Sequence, residues 1–181
     1  MLISARKKKE NIAEYLLYMW QIEDIIRANN LDADSINKNI ISKYDIGEDV
    51  KKEMREWYES LIEMMRLENV TSTGHLQINK NVLIRLTELH SELMKSTKYP
   101  DYVAEFYKTL PYIVELRGKA GENKSGELET CFNALYGTLM LRLQGKELSQ
   151  ETMGAITQIS RFIAKLAAYY KKNEESPLFE D

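Results

Sequence analysis

Apolar residues recur every three to four positions from one end of this chain to the other, and almost nowhere do they alternate with polar ones. That period gathers them on one side of an α-helix and never on one face of a strand. Only eight glycines and three prolines interrupt the 181 residues, too few turn formers for a chain of many short strands. The expected fold is all-α: a single-domain antiparallel bundle of about six to seven helices joined by short turns. It is expected over residues 1–172, with 173–181 as an acidic, disordered tail.

The first helix is expected from about Ala5 to Ala28. Ile12, Tyr15, Leu16, Met19, Ile22 and Ile26 line one side of it, and further apolar residues surround the rest, which suits a central helix. Asp34 is expected to cap a short second helix ending near Tyr44, and Asp45 with Glu48 forms a capping-box pattern for the third. The third carries a narrow stripe of Val50, Met54, Trp57, Leu61, Met64 and Met65, and the fourth, about Leu76 to Lys95, has Leu83, Leu86, Leu89 and Leu93. A fifth starts near Asp101 and keeps one phase across Pro111 through Val103, Phe106, Leu110, Ile113 and Val114, so a kinked but continuous helix is expected. "GKAGENKSG" at 118–126 reads as a turn, with Ser125 capping a sixth helix whose stripe is Leu128, Phe132, Leu135, Leu139 and Leu143. Ser149 caps the last, whose Met153, Ile156, Ile159, Ile163, Leu166 and Tyr170 face inward; the tail after it is read as disordered, with Leu178 and Phe179 as a small docking element the lesser alternative.

With 25 basic against 28 acidic residues the formal charge is −3, so no long-range field favours nucleic acid or anionic lipid. The basic run "RKKK" at 6–9 reads as a solvated first turn. Cys131 is the only cysteine, which leaves no disulfide framework and fits a reducing cytoplasm. The longest apolar run, "YLLYMW" at 15–20, is far short of a membrane span, and the N-terminus lacks a secretion signal's apolar core. Neither nucleic acid nor membrane is therefore expected as a partner.

Polar residues inside apolar stripes are the informative positions, because burial without a partner costs about 1 to 3 kcal/mol for a neutral group and more for a charge. Five qualify: Glu23, Asn79, His90, Arg117 and Arg142. Arg117 is the most conspicuous, four residues after Ile113 and seven after Leu110. One reading makes the five a buried network, Arg117 or Arg142 pairing with Glu23 while Asn79 and His90 satisfy each other, a backbone carbonyl or a water. The other makes them the lining of a pocket between helices that grips a small anionic ligand, with His90 or Glu23 available for proton transfer.

His75 and His90 are the only histidines, and neither belongs to a Glu-x-x-His unit, so no metal site or cofactor is expected. "RGKAGENKSG" lacks the strand and spacing of a phosphate loop, and no nucleophile motif is present, so no catalytic residue is assigned. Cys131 reads as a small core hydrophobe.

The segments "ENIAEYLLYMWQIEDIIRA" (10–28), "NKNIISKY" (37–44), "GHLQINKN" (74–81), "YKTLPYIVELR" (107–117) and "ELETCFNALYG" (127–137) are long and irregular. Together they resemble a bacterial family known only as a domain of unknown function, over about residues 5–170. The resemblance implies a small soluble helical protein and carries no activity, cofactor or catalytic residue. The leading expectation is thus a non-catalytic cytoplasmic protein acting by binding, through self-association or a protein partner, with Trp57, Met64 and Met65 as the contact. The alternative is the anionic-ligand protein or enzyme built on Glu23, Asn79, His90, Arg117 and Arg142.

Overall fold

A computed structural model describes residues 2–119 and 125–179. The described chain is all-helical: α1 (Leu2–Glu10), α2 (Ile12–Ala28), α3 (Ala33–Asn39), α4 (Glu48–Leu67), α5 (Gln77–Lys95), α6 (Pro100–Lys119), α7 (Glu127–Leu143) and α8 (Gln150–Glu175), with a 3-10 turn at Ile41–Lys43. These eight exceed the expected six to seven because the first expected helix is two. Asn11 breaks it by turning its side-chain oxygen onto the Ala13 N–H at 3.0 Å, the bond an N-cap makes to the second residue of its helix.

The chain divides into two compact units, residues 1–10 with 14–82, and residues 11–13 with 83–181. In the first unit, α3 packs on α4 and on the 3-10 turn. Most of α2 is buried, as its all-round apolar sequence requires, with Leu16 and Ile26 fully covered. Asp32, not Asp34, caps α3 by accepting from the Asp34 and Ser35 N–H groups, and α4 starts after Gly47 without a side-chain cap, so the Asp45–Glu48 box does not form. Two consecutive residues after α2, Asn30 and Leu31, adopt left-handed φ values of 56° and 54°. A leucine is strained there, and the turn is held by the Arg66 guanidinium donating to the Leu31 carbonyl at 3.0 Å. The basic run is folded into local pairs: Arg6 with Glu10, Lys7 with Glu14, and Lys8 over the Tyr15 ring.

In the second unit α6, α7 and α8 pack on one another. α6 runs unbroken through Pro111 as expected, but its buried stripe is Tyr102, Phe106, Thr109 and Ile113, with Val114 exposed and Val103 and Leu110 half-covered. Leu143 and Met153, expected inward, are exposed. Ser149 caps α8 by accepting from the Thr152 N–H, whereas α7 begins after Gly126 with no side-chain cap from Ser125. Within the expected turn at 118–126, Gly118 and Lys119 belong to α6, and 120–124 lie outside the described residues.

α8 extends to Glu175, into the segment expected as a tail. Beyond it the Leu178 N–H donates to Asn173 Oδ1 at 2.9 Å, and Phe179 stacks edge-on against Tyr99. Residues 180–181 of that segment are outside the described ones. No helix among the described residues is long and apolar enough to cross a membrane.

Candidate functional site

Glu23 is the most constrained polar residue of the first unit. Its side chain is fully buried on α2, where the helical phase of Leu16 and Met19 carries it inward. One oxygen, Oε1, accepts from the Leu76 N–H at 2.9 Å and from Asn79 Nδ2 at 2.6 Å; the other, Oε2, meets His75 Nδ1 at 2.6 Å. Leu76 precedes α5 and has no side-chain oxygen to cap the helix, so Glu23 supplies the missing acceptor from another helix and places a negative charge at the helix's positive end. Glu68 repeats this one residue on, accepting from the Gln77 N–H at 2.6 Å.

Three polar groups converge on the two oxygens of one buried carboxyl group, the Leu76 N–H and Asn79 Nδ2 on Oε1 and His75 Nδ1 on Oε2. The ring is further fixed by stacking on Trp20, with centroids 4.2 Å apart and planes 13° from parallel. His75 remains 30% exposed at its side chain. The sequence expectation of an arginine opposite Glu23 is corrected: a histidine, a backbone amide and an asparagine occupy its oxygens. Asn79 Oδ1 is buried with no hydrogen-bond partner among the described residues.

His90 belongs to the second unit and is buried. It does not reach Asn79, because eleven residues along one helix rise about 16 Å. Its Nδ1 lies 2.6 Å from the hydroxyl of Tyr102, itself fully buried, and its Nε2 lies 3.8 Å from Glu127 Oε2. Burial pushes the imidazole pKa below its usual value, with Glu127 acting in the opposite sense, and burial raises that of the Tyr102 hydroxyl. The ring and the Tyr102 hydroxyl therefore share one hydrogen bond at Nδ1, its direction set by the tautomer of the imidazole. Phe106 and Phe162 close the aromatic shell around it.

The two arginines do not behave alike. Arg142 is exposed near the end of α7, so it does not point inward. Arg117 is half-buried, and its Nε is buried with no hydrogen-bond partner among the described residues. An arginine tied into no buried pair contributes little to stability, so Arg117→Met is expected to change the urea unfolding free energy by less than about 1 kcal/mol. A loss of about 3 kcal/mol or more would instead reveal a stranded carboxylate.

Cys131 is fully covered, and burial, with Glu127 nearby, pushes its thiol pKa up to about 12, which makes it a packing residue and not a nucleophile. No three His, Cys, Asp or Glu side chains among the described residues are placed to hold a metal ion.

The five candidates thus divide, Glu23 and Asn79 in the first unit and His90, Arg117 and Arg142 in the second. Sequence reasoning missed His75, which sits beside the polar turn "TSTG" and belongs to none of the apolar stripes. Its signal was the carboxylate: a glutamate on an apolar face needs donors, and the start of a helix lacking a capping side chain offers backbone ones. Tyr102 was missed because a tyrosine on an apolar stripe reads as packing.

The description of the family whose model matches residues 1–176 is "Domain of unknown function (DUF4924)". No curated protein and no solved structure matches the chain.

Proposed function

The chain belongs to this DUF4924 family, whose description assigns no chemistry, and from that premise we propose that it acts by binding, as a protein that associates with a second copy of itself through the outer face of α6. The supporting observation is that α6 is apolar over an arc wider than a single contact needs. Beside the buried stripe of Tyr102, Phe106, Thr109 and Ile113 runs a second one, Val103, Tyr107, Leu110 and Val114, spaced four, three and four residues apart. Tyr107 and Val114 in it are each 60% exposed. That spacing is the seam of a helix that meets another helix.

Arg117 continues the outer stripe, three residues beyond Val114. Its position in an apolar phase is explained by a surface seam ending in a charge, which does not require a partner carboxylate in the core.

A second copy fits this face for two reasons. Four of the charges of α6 are paired within the helix, Lys108 with Glu105 at 3.7 Å and Lys119 with Glu115 at 2.6 Å, and Asp101 is paired with Lys165 of α8 at 2.8 Å, so little surplus field repels a like surface. Tyr107 also borders a concavity of about 520 Å³, lined in addition by Met94, Pro100, Val103 and Ala104. Each copy therefore offers both a projection and a recess, which a two-fold contact uses on both sides. The contact expected at Trp57, Met64 and Met65 is less suited, since Met65 is fully buried and Trp57 and Met64 are half-covered.

Sedimentation equilibrium from low micromolar to near-millimolar concentration is expected to show a monomer–dimer equilibrium for the wild type. Val114→Glu combined with Tyr107→Glu should give a monomer with unchanged helical circular dichroism. A wild type that stays monomeric throughout removes self-association, and a double variant that still dimerises removes this face.

A further inference from the structure

The chain folds back on itself after α8. At Ser176 the backbone leaves the helix in an extended conformation, and two residues on the Leu178 N–H returns to Asn173 Oδ1 at 2.9 Å. Ser176 and Pro177 are exposed, whereas Leu178 and Phe179 are half-buried. Both rest on one residue of the α5–α6 corner, Tyr99. Its hydroxyl donates to the Leu178 carbonyl at 3.4 Å, and its ring meets Phe179 edge-on with centroids 5.6 Å apart. Tyr169 of α8 packs edge-on against the same ring at 5.2 Å.

Tyr99 also starts α6. Its carbonyl accepts from the Tyr102 and Val103 N–H groups at 3.1 and 3.3 Å, as the carbonyl of a helix N-cap does. Pro100 and Val103, bonded to it covalently and through that carbonyl, belong to the wall of the recess of about 520 Å³ beside Tyr107. A single residue therefore carries the returning segment on its side chain and a wall of the recess on its backbone.

We infer that Ser176–Phe179 is a strap that sets the shape of this recess, so that the chain binds its second copy tightly with the strap docked and less tightly with it released. The inference rests on self-association through α6 and adds a control to it.

Two features give the strap two positions. It is weakly held: among the described residues, Leu178 and Phe179 make one hydrogen bond to Asn173 and, with Tyr99, one long hydrogen bond and one ring contact. Segments with so few buried contacts open far below the free energy of global unfolding. The start of α6 has a second anchor that does not involve the strap, since the Asp101 carboxylate is held by Lys165 at 2.8 Å and by the Tyr169 hydroxyl at 2.9 Å. Release of the strap thus frees Tyr99 and the first turn of α6 without detaching α6 from α8.

Two variants release the strap by different routes. Phe179→Ser removes the ring that meets Tyr99, and Asn173→Ala removes the acceptor that turns Leu178 back. Neither residue lines the recess. In the dilute, isotopically labelled full chain, each is expected to shift the amide resonances of Asp101, Val103 and Ala104 and to leave the helical circular dichroism unchanged. In sedimentation equilibrium each is expected to raise the dimer dissociation constant about threefold or more, the scale of one edge-on aromatic contact. Shifts confined to Tyr99 and residues 173–179 would mean that the strap does not reach the recess, and would overturn the inference whether or not the chain dimerises. An unchanged dissociation constant would overturn it too. A wild type that stays monomeric while the shifts do reach Val103 would instead remove self-association, and the strap's control with it.

Discussion

Replacing Glu23 by alanine is expected to lower the unfolding free energy by about 3 to 5 kcal/mol, as measured by urea denaturation. The substitution removes the acceptor of three donors at once, the His75 ring, the Leu76 N–H and Asn79 Nδ2. Water can reach His75, which is 30% exposed, but not Asn79, which is fully buried. The asparagine amide is therefore left without a partner in a site whose Oδ1 already lacks one among the described residues. The start of α5 loses its acceptor and the charge that complements its dipole. Glu23→Gln serves as the contrast, because it keeps one carbonyl oxygen for Leu76 and Asn79 and presents an NH2 group to His75, which can switch tautomer and accept from it. Its loss should be smaller, with the His75 ring nitrogens exchanging roles in the NMR spectrum. A Glu23→Ala loss below about 1 kcal/mol would show that the carboxylate does not hold this end of α5.

How much of this was legible in the sequence depended on whether the deciding force was local. Helical class followed from periodicity, and Ser149 is a cap because a cap is read within four residues. The break at Asn11 was harder, since the apolar phase of Ile12 to Ile26 gave no sign that the residues before it form a separate helix. Glu23 and Asn79 were found to be inward because a stripe fixes direction, but their mutual bond was not, because a stripe says nothing about which helix lies opposite. Arg117 shows the converse error: an apolar phase need not be the core's phase. Residues 103, 107, 110 and 114 are as regular as 102, 106, 109 and 113, and only the burial of the second set tells them apart.

The second large effect is expected at Phe162, where alanine should cost about 3 to 5 kcal/mol. Its ring is fully buried, with Phe106, Tyr102 and His90 ring centroids at 5.5, 5.7 and 5.8 Å. Truncation leaves a cavity bordered by three rings that are themselves held, Tyr102 and His90 by their 2.6 Å bond, so collapse into the space is limited. Phe162→Leu keeps most of the volume and should cost less than half as much. The imidazole provides a second readout, since burial is what holds the His90 pKa below its ordinary value. Opening the Phe162 side admits water, so the His90 titration should move upward in Phe162→Ala and hardly at all in Phe162→Leu. A stability loss without that movement would mean that the cavity stays dry. A movement without the loss would mean that Phe162 screens the imidazole from water while contributing little packing of its own.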